Sequence, residues 1–97
     1  MQDLHLTNEQ IKDIKSLDLS VNSKSLYLSN NQIMEIHGLD HLINLKALDL
    51  KCNQITEIQG LNHLVNLKTL DLYKNEYKNG CLRIYYLSRL SKRLLAN

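Results

Sequence analysis

The 97-residue chain has no proline, phenylalanine or tryptophan, and only three glycines and two cysteines. Any core must therefore be aliphatic, and the five tyrosines are the only large aromatic side chains. Cys52 and Cys81 are too few and too far apart for a disulfide framework or a Cys-x-x-Cys metal site. Two unpaired thiols in a reducing, cytoplasmic setting are expected, and the lack of any Asn-x-Ser/Thr acceptor agrees. No apolar run has the length to cross a bilayer, and Asp, Glu and Lys interrupt the N-terminal segment where a secretory leader would be apolar. There is no Gly-rich phosphate loop, His-Glu-x-x-His or Gly-x-Ser-x-Gly sequence. Neither an enzyme nor a cofactor is expected.

What is present is that of a globular chain: 43% hydrophobic and 23% charged residues, at a length suited to one domain spanning 1–97. Leucine accounts for 21 residues and asparagine for 11. The net charge of +2 is unevenly placed. Met1–Tyr73 carries six lysines against nine acids, a balance of −3. Lys74–Asn97 carries six basic residues against Glu76 alone, a balance of +5.

Written in rows of 22, the chain repeats itself. Leu26, Leu48 and Leu70 form one column, and Leu28, Leu50 and Leu72 another; Asn31, Asn53 and Asn75 align, as do Ile33 with Ile55, Ile36 with Ile58 and Gly38 with Gly60. His41 aligns with His63 and Asn44 with Asn66, and Leu4, Leu6, Ile11, Ile14 and Leu17 extend the register backwards. The units run 2–23, 24–45, 46–67 and 68–80. Met1 at the start of a repeat phase leads to the expectation of a complete chain. Each Leu-x-Leu alternates apolar and polar, as a strand with one buried face does. The Asn three residues later is placed to satisfy backbone groups where the chain leaves the strand. The Ile-x-x-Ile-x-Gly-Leu return, at roughly three-residue spacing, suits short 3-10 or irregular turns. Gly38 and Gly60 would provide positive φ or close approach between coils. One unit cannot cover its own apolar side, so the units must stack.

Residues 45–55, LKALDLKCNQI, match LxxLxLxxNxI without a gap. The chain thereby resembles the leucine-rich repeat family, and its unit length and Ile-x-x-Ile-x-Gly-Leu tail look like the 22-residue subclass of phosphatase-regulating repeat proteins and bacterial internalins. The resemblance covers about residues 2–76. It implies an α/β fold: a short right-handed solenoid with a parallel β-sheet on the concave side, 3-10 or irregular turns on the convex side, and protein binding through the concave face.

The ends depart from the pattern. In the first unit Glu9 stands in the Asn column, and Ser16, Ser20 and Ser23 replace Gly, Leu and Leu, so a frayed first coil with Leu4 and Leu6 on an open edge strand is expected. Past Asn75 the period is lost. Leu82, Tyr86, Leu90 and Leu94 recur every four residues among Arg83, Arg89, Lys92 and Arg93, which predicts an amphipathic C-terminal capping helix over 81–95. The cap motif of the phosphatase-regulating proteins is absent.

With the Leu pairs facing inward, their neighbours face out: Asp3, His5, Thr7; Ser25, Tyr27, Ser29; Ala47, Asp49, Lys51; Thr69, Asp71, Tyr73. Asp49 and Asp71 become stacked like charges on adjacent strands, suited to a basic partner group, with Tyr27 and Tyr73 beside them as anchors. A protein partner held by Tyr27, Asp49, Lys51, Asp71, Tyr73 and His5 is the favoured reading. One alternative is a basic C-terminal helix, with Tyr85 and Tyr86, on an anionic membrane surface or nucleic acid; another is self-association through the N-terminal edge strand. His37, His41 and His63, with Asp40, could form an incidental zinc or nickel site. Cys52 has no histidine on its own turn to activate it.

Overall fold

The computed structural model describes residues 3–57 and 59–76. Four strands, β1 (Asp3–His5), β2 (Ser25–Tyr27), β3 (Ala47–Asp49) and β4 (Thr69–Asp71), form one parallel sheet in chain order. Parallel neighbours require a long crossover, and the return arc of each unit supplies it. The register pairs Leu4 with Leu26, Leu26 with Leu48 and Leu48 with Leu70, so the leucines of one sequence column stand side by side. The ladder continues past each strand: the N–H groups of Leu6, Leu28 and Leu50 donate to the carbonyls of Tyr27, Asp49 and Asp71 at 2.8, 2.8 and 2.9 Å.

The core is one aliphatic column. Leu26, Leu48 and Leu70 are buried with Leu28, Leu50 and Leu72 on the sheet side, and Ile33, Ile36, Leu39, Leu42 and Leu45 with Ile55, Leu61, Leu64 and Leu67 close it from the arc. The first coil differs by more than polar replacement. Ser20 stands where later coils place Leu42 and Leu64, but Leu19, one residue earlier, is only 6% exposed and enters the core with Ile14. Leu4, Leu6, Ile11 and Leu17 pack against it partly buried. This repacking, rather than a coil without a core, is how the N-terminal unit meets the next.

The Asn column joins coil to coil. Asn31 accepts the N–H groups of Glu9 and Ile11 through Oδ1, and its amide donates to the carbonyls of Leu6 and Leu28. Asn53 bonds Ile33, Leu28 and Leu50 in the same way, and Asn75 bonds Ile55, Leu50 and Leu72. Among the described residues no buried side-chain N or O lacks a hydrogen-bond partner.

Among the described residues the return arcs are irregular, with one 3-10 turn at Ile14–Ser16 whose N-cap Asp13 accepts the Lys15 N–H at 2.9 Å. The second and third coils instead turn through Gly38 (φ +75°) and Gly60 (φ +71°). A Cβ on Gly60 would lie 2.4 Å from the Ile36 carbonyl oxygen, and one on Gly38 2.9 Å from Lys15 Cα. Positive φ and close approach therefore coincide at both glycines. The helix expected over 81–95, with Arg83, Arg89, Lys92, Arg93, Tyr85, Tyr86 and Cys81, lies outside the described residues.

Candidate functional site

The sheet has one buried face, carrying Leu4, Leu26, Leu48 and Leu70, and one facing solvent, because side chains alternate along a strand. The register lines up two outward columns: Asp3, Ser25, Ala47, Thr69, and His5, Tyr27, Asp49, Asp71. His5 stacks on Tyr27 with ring centroids 4.5 Å apart and planes 9° from parallel. Beyond Tyr27, an open hollow of about 200 Å³ lies over β3 and β4, bounded by Tyr27, Ala47, Asp49, Thr69 and Asp71 with Leu48 and Leu70 beneath. Ala47 and Thr69 are small, which leaves the space.

Both carboxylates are held in place. Asp49 Oδ1 accepts the Lys51 N–H at 3.1 Å, and Asp71 Oδ1 accepts the Tyr73 N–H at 3.0 Å. A short acid two residues before a chain bend forms such a turn readily, so the Leu-Asp-Leu repeat has a local structural reason as well as a surface one. Lys51 Nζ lies 3.7 Å from Asp49 Oδ2. No described lysine, arginine or histidine lies within ion-pair distance of Asp71.

Of the six residues expected to bind a partner, the structure gathers Tyr27, Asp49 and Asp71 around the hollow, backs Tyr27 with His5 and leans Lys51 on Asp49. Tyr73 is not among the lining residues; it sits past the end of β4, with Lys74 Nζ 5.7 Å from its ring centre. Ser29, also expected on the open face, is buried and meets the Thr7 hydroxyl at 3.3 Å. Ala47 and Thr69 shape the hollow although they carry no charge or ring. Their signal in the sequence was only that the Ser25–Ala47–Thr69 column is uniformly small.

The three histidines do not converge. His37 Nε2 meets Asp13 Oδ1 at 2.6 Å, His41 Nε2 lies 2.9 Å from the Leu19 carbonyl oxygen, and His63 Nδ1 is 3.6 Å from Asp40 Oδ1. Among the described residues no group of three or more His, Cys, Asp or Glu side chains stands close enough to share a metal ion. The His37, His41, His63 and Asp40 cluster is thus dispersed into separate links between coils. The hydrogen bond from His37, followed by that from the Lys15 N–H, holds the Asp13 carboxyl below the ordinary carboxylate range. A second set of links runs from Asn44 to the Val21 carbonyl (3.5 Å) and from Asn66 to the Ile43 carbonyl (2.7 Å). The aligned asparagines marked these positions without showing what they bond.

A family model described as Leucine Rich repeats (2 copies) matches residues 24–63 and again 43–79, together more than half of the chain. The chain belongs to the leucine-rich repeat family. Internalin C2 of Listeria monocytogenes, as a solved structure, superposes with a TM-score of 0.71 at 37% identity, over 77% of this chain and 33% of the internalin chain. The leucine-rich repeat chain described here thus spans about a third of that internalin's length. No curated protein matches the sequence. Leucine-rich repeat domains are in general protein-interaction modules, and their stacked strands offer an extended surface for that purpose.

Proposed function

We propose that this leucine-rich repeat protein is a non-catalytic interaction module that binds a protein partner on the solvent face of its sheet. The observation that supports this reading most is the in-register column His5–Tyr27–Asp49–Asp71, which puts an aromatic anchor and two carboxylates around one hollow. Aromatic side chains at the centre of such a surface bury much area at low entropic cost. The hollow is open to solvent, and no described third carboxylate, histidine or cysteine joins the aspartate pair, an arrangement suited to recognition rather than to acid–base chemistry.

The test compares affinity capture by three forms of the full chain: wild type, Tyr27→Ala/Asp71→Lys on the sheet face, and Met34→Ser/Val65→Ser among the exposed apolar residues elsewhere. A specific partner lost by the first variant and kept by the second supports the sheet face. Retention by Tyr27→Ala/Asp71→Lys, with loss by Met34→Ser/Val65→Ser, would move the binding surface away from the sheet.

A further inference from the structure

We infer that the hollow between Tyr27 and the Asp49–Asp71 pair is a receptor for one arginine side chain of the partner protein. The inference rests on the sheet-face reading above and adds the chemistry of the group that is recognised.

Three observations converge on a guanidinium. The first is charge: two carboxylates stand opposite one another on adjacent strands, with Lys51 at 3.7 Å from Asp49 and no described cation within ion-pair distance of Asp71. Each aspartate commits Oδ1 to a backbone N–H, which leaves Oδ2 as the oxygen for an outside donor. An incoming cation therefore completes the Asp71 side and competes with Lys51 on the Asp49 side. The second is the ring. His5 stacks against Tyr27, and Tyr27 lines the hollow. A planar guanidinium stacks on such a ring while its forked N–H groups reach two carboxylates, whereas an ammonium acts as a point charge. The third is size: about 200 Å³ falls below the roughly 300–1,000 Å³ of clefts that hold small-molecule ligands. It accommodates a single side chain. A metal ion is disfavoured because no third described ligand accompanies the two aspartates.

The experiment is an amide NMR titration of the full ¹⁵N-labelled chain with acetyl-Gly-Gly-Arg-Gly-Gly-amide and with its lysine and citrulline counterparts. The expected result is saturable shifts at the Lys51 and Tyr73 amides, whose N–H groups the two carboxylates hold, with arginine bound more tightly than lysine and citrulline not bound. Asp71→Asn keeps an acceptor for the Tyr73 N–H and so preserves the turn, yet should weaken the arginine peptide about ten-fold, as loss of one charge-assisted contact implies. Tyr27→Leu should bring arginine and lysine to equal affinity. Rising salt should weaken binding of the arginine peptide to the wild type. Absence of saturable shifts at Lys51 and Tyr73, equal binding of citrulline, or unchanged affinity in Asp49→Asn/Asp71→Asn would overturn the inference. If the arginine peptide fails while the captured partner still depends on Tyr27 and Asp71, the sheet-face reading stands and the guanidinium assignment falls.

Discussion

Asn53 shows how much one side chain can carry in a repeat. Its amide bonds Ile33, Leu28, Leu50 and Lys51 in two adjacent coils, and the residue is only 6% exposed. Asn53→Ala leaves buried backbone groups unpaired and should destabilise the fold by about 3 kcal/mol, read as a lower urea midpoint at unchanged m-value. The column immediately before it has a different demand. Asn8, Asn30, Cys52 and Lys74, again one per repeat, all adopt left-handed backbone, with φ of 62°, 57°, 58° and 56°. Asparagine tolerates that region, while other side chains meet their own backbone there. Cys52→Asn should therefore raise stability by roughly 0.5–1 kcal/mol, and a thermal melt would show it as an increase in Tm. The ladder asparagines were legible in the sequence because the type repeats in every unit from Asn31 onward. The left-handed column was not, because Cys52 and Lys74 conceal a requirement that only Asn8 and Asn30 display.

At the scale of the element, the return arcs decide how closely coils approach. Gly60 combines φ +71° with a blocked Cβ direction 2.4 Å from the Ile36 oxygen. That obstacle is a backbone atom and cannot swing aside, so Gly60→Ala should cost about 3 kcal/mol through strain and overpacking together. Gly38→Ala, whose nearest obstacle is Lys15 Cα at 2.9 Å, should cost less in the same denaturation assay. The first arc needs no glycine: Ser16 ends a 3-10 turn there, and Asp13 both caps that turn and meets His37 of the next coil. Because His37 and the Lys15 N–H hold the Asp13 carboxyl low, this link contributes stability at pH above the ordinary carboxylate range. It is lost as pH falls through the lowered value and the carboxylate takes up its proton. An NMR titration should find the Asp13 midpoint below that of an unpaired aspartate, and His37→Ala should move it upward.

For the whole molecule, stability depends on position in the stack. Leu48 is flanked on both sides, by Leu26 and Leu70, and is 2% exposed, whereas Leu4 has a described neighbour on one side and is only partly buried. Leu48→Ala should cost about 2–5 kcal/mol, as a buried leucine truncation does, and Leu4→Ala distinctly less. Equal losses in the two variants would argue against nearest-neighbour stacking as the source of stability. The same stack holds the hollow: Tyr27, Asp49 and Asp71 come from three successive coils. A substitution such as Leu48→Ala should therefore weaken partner binding as well as folding, although Leu48 lies beneath the surface.

The amino-acid sequence alone determined the family, the parallel stack and the identity of the buried columns, for one physical reason. In a solenoid the neighbour in space is the neighbour one period away, so periodicity reports contacts directly. It equally placed Tyr27, Asp49 and Asp71 on one face. Only the tertiary structure decided what the period leaves free, namely the lean of each side chain and the offset at which it meets the next coil. His41 reaches Leu19 across one period, while His37 reaches Asp13 and His63 reaches Asp40 slightly farther back in the chain; each histidine thus meets a partner of its own, although His41 and His63 align in sequence. The stacking of His5 on Tyr27, the lean of Lys51 on Asp49, and the depth left by Ala47 and Thr69 arise likewise, from side-chain size and orientation within a register the leucines had already set.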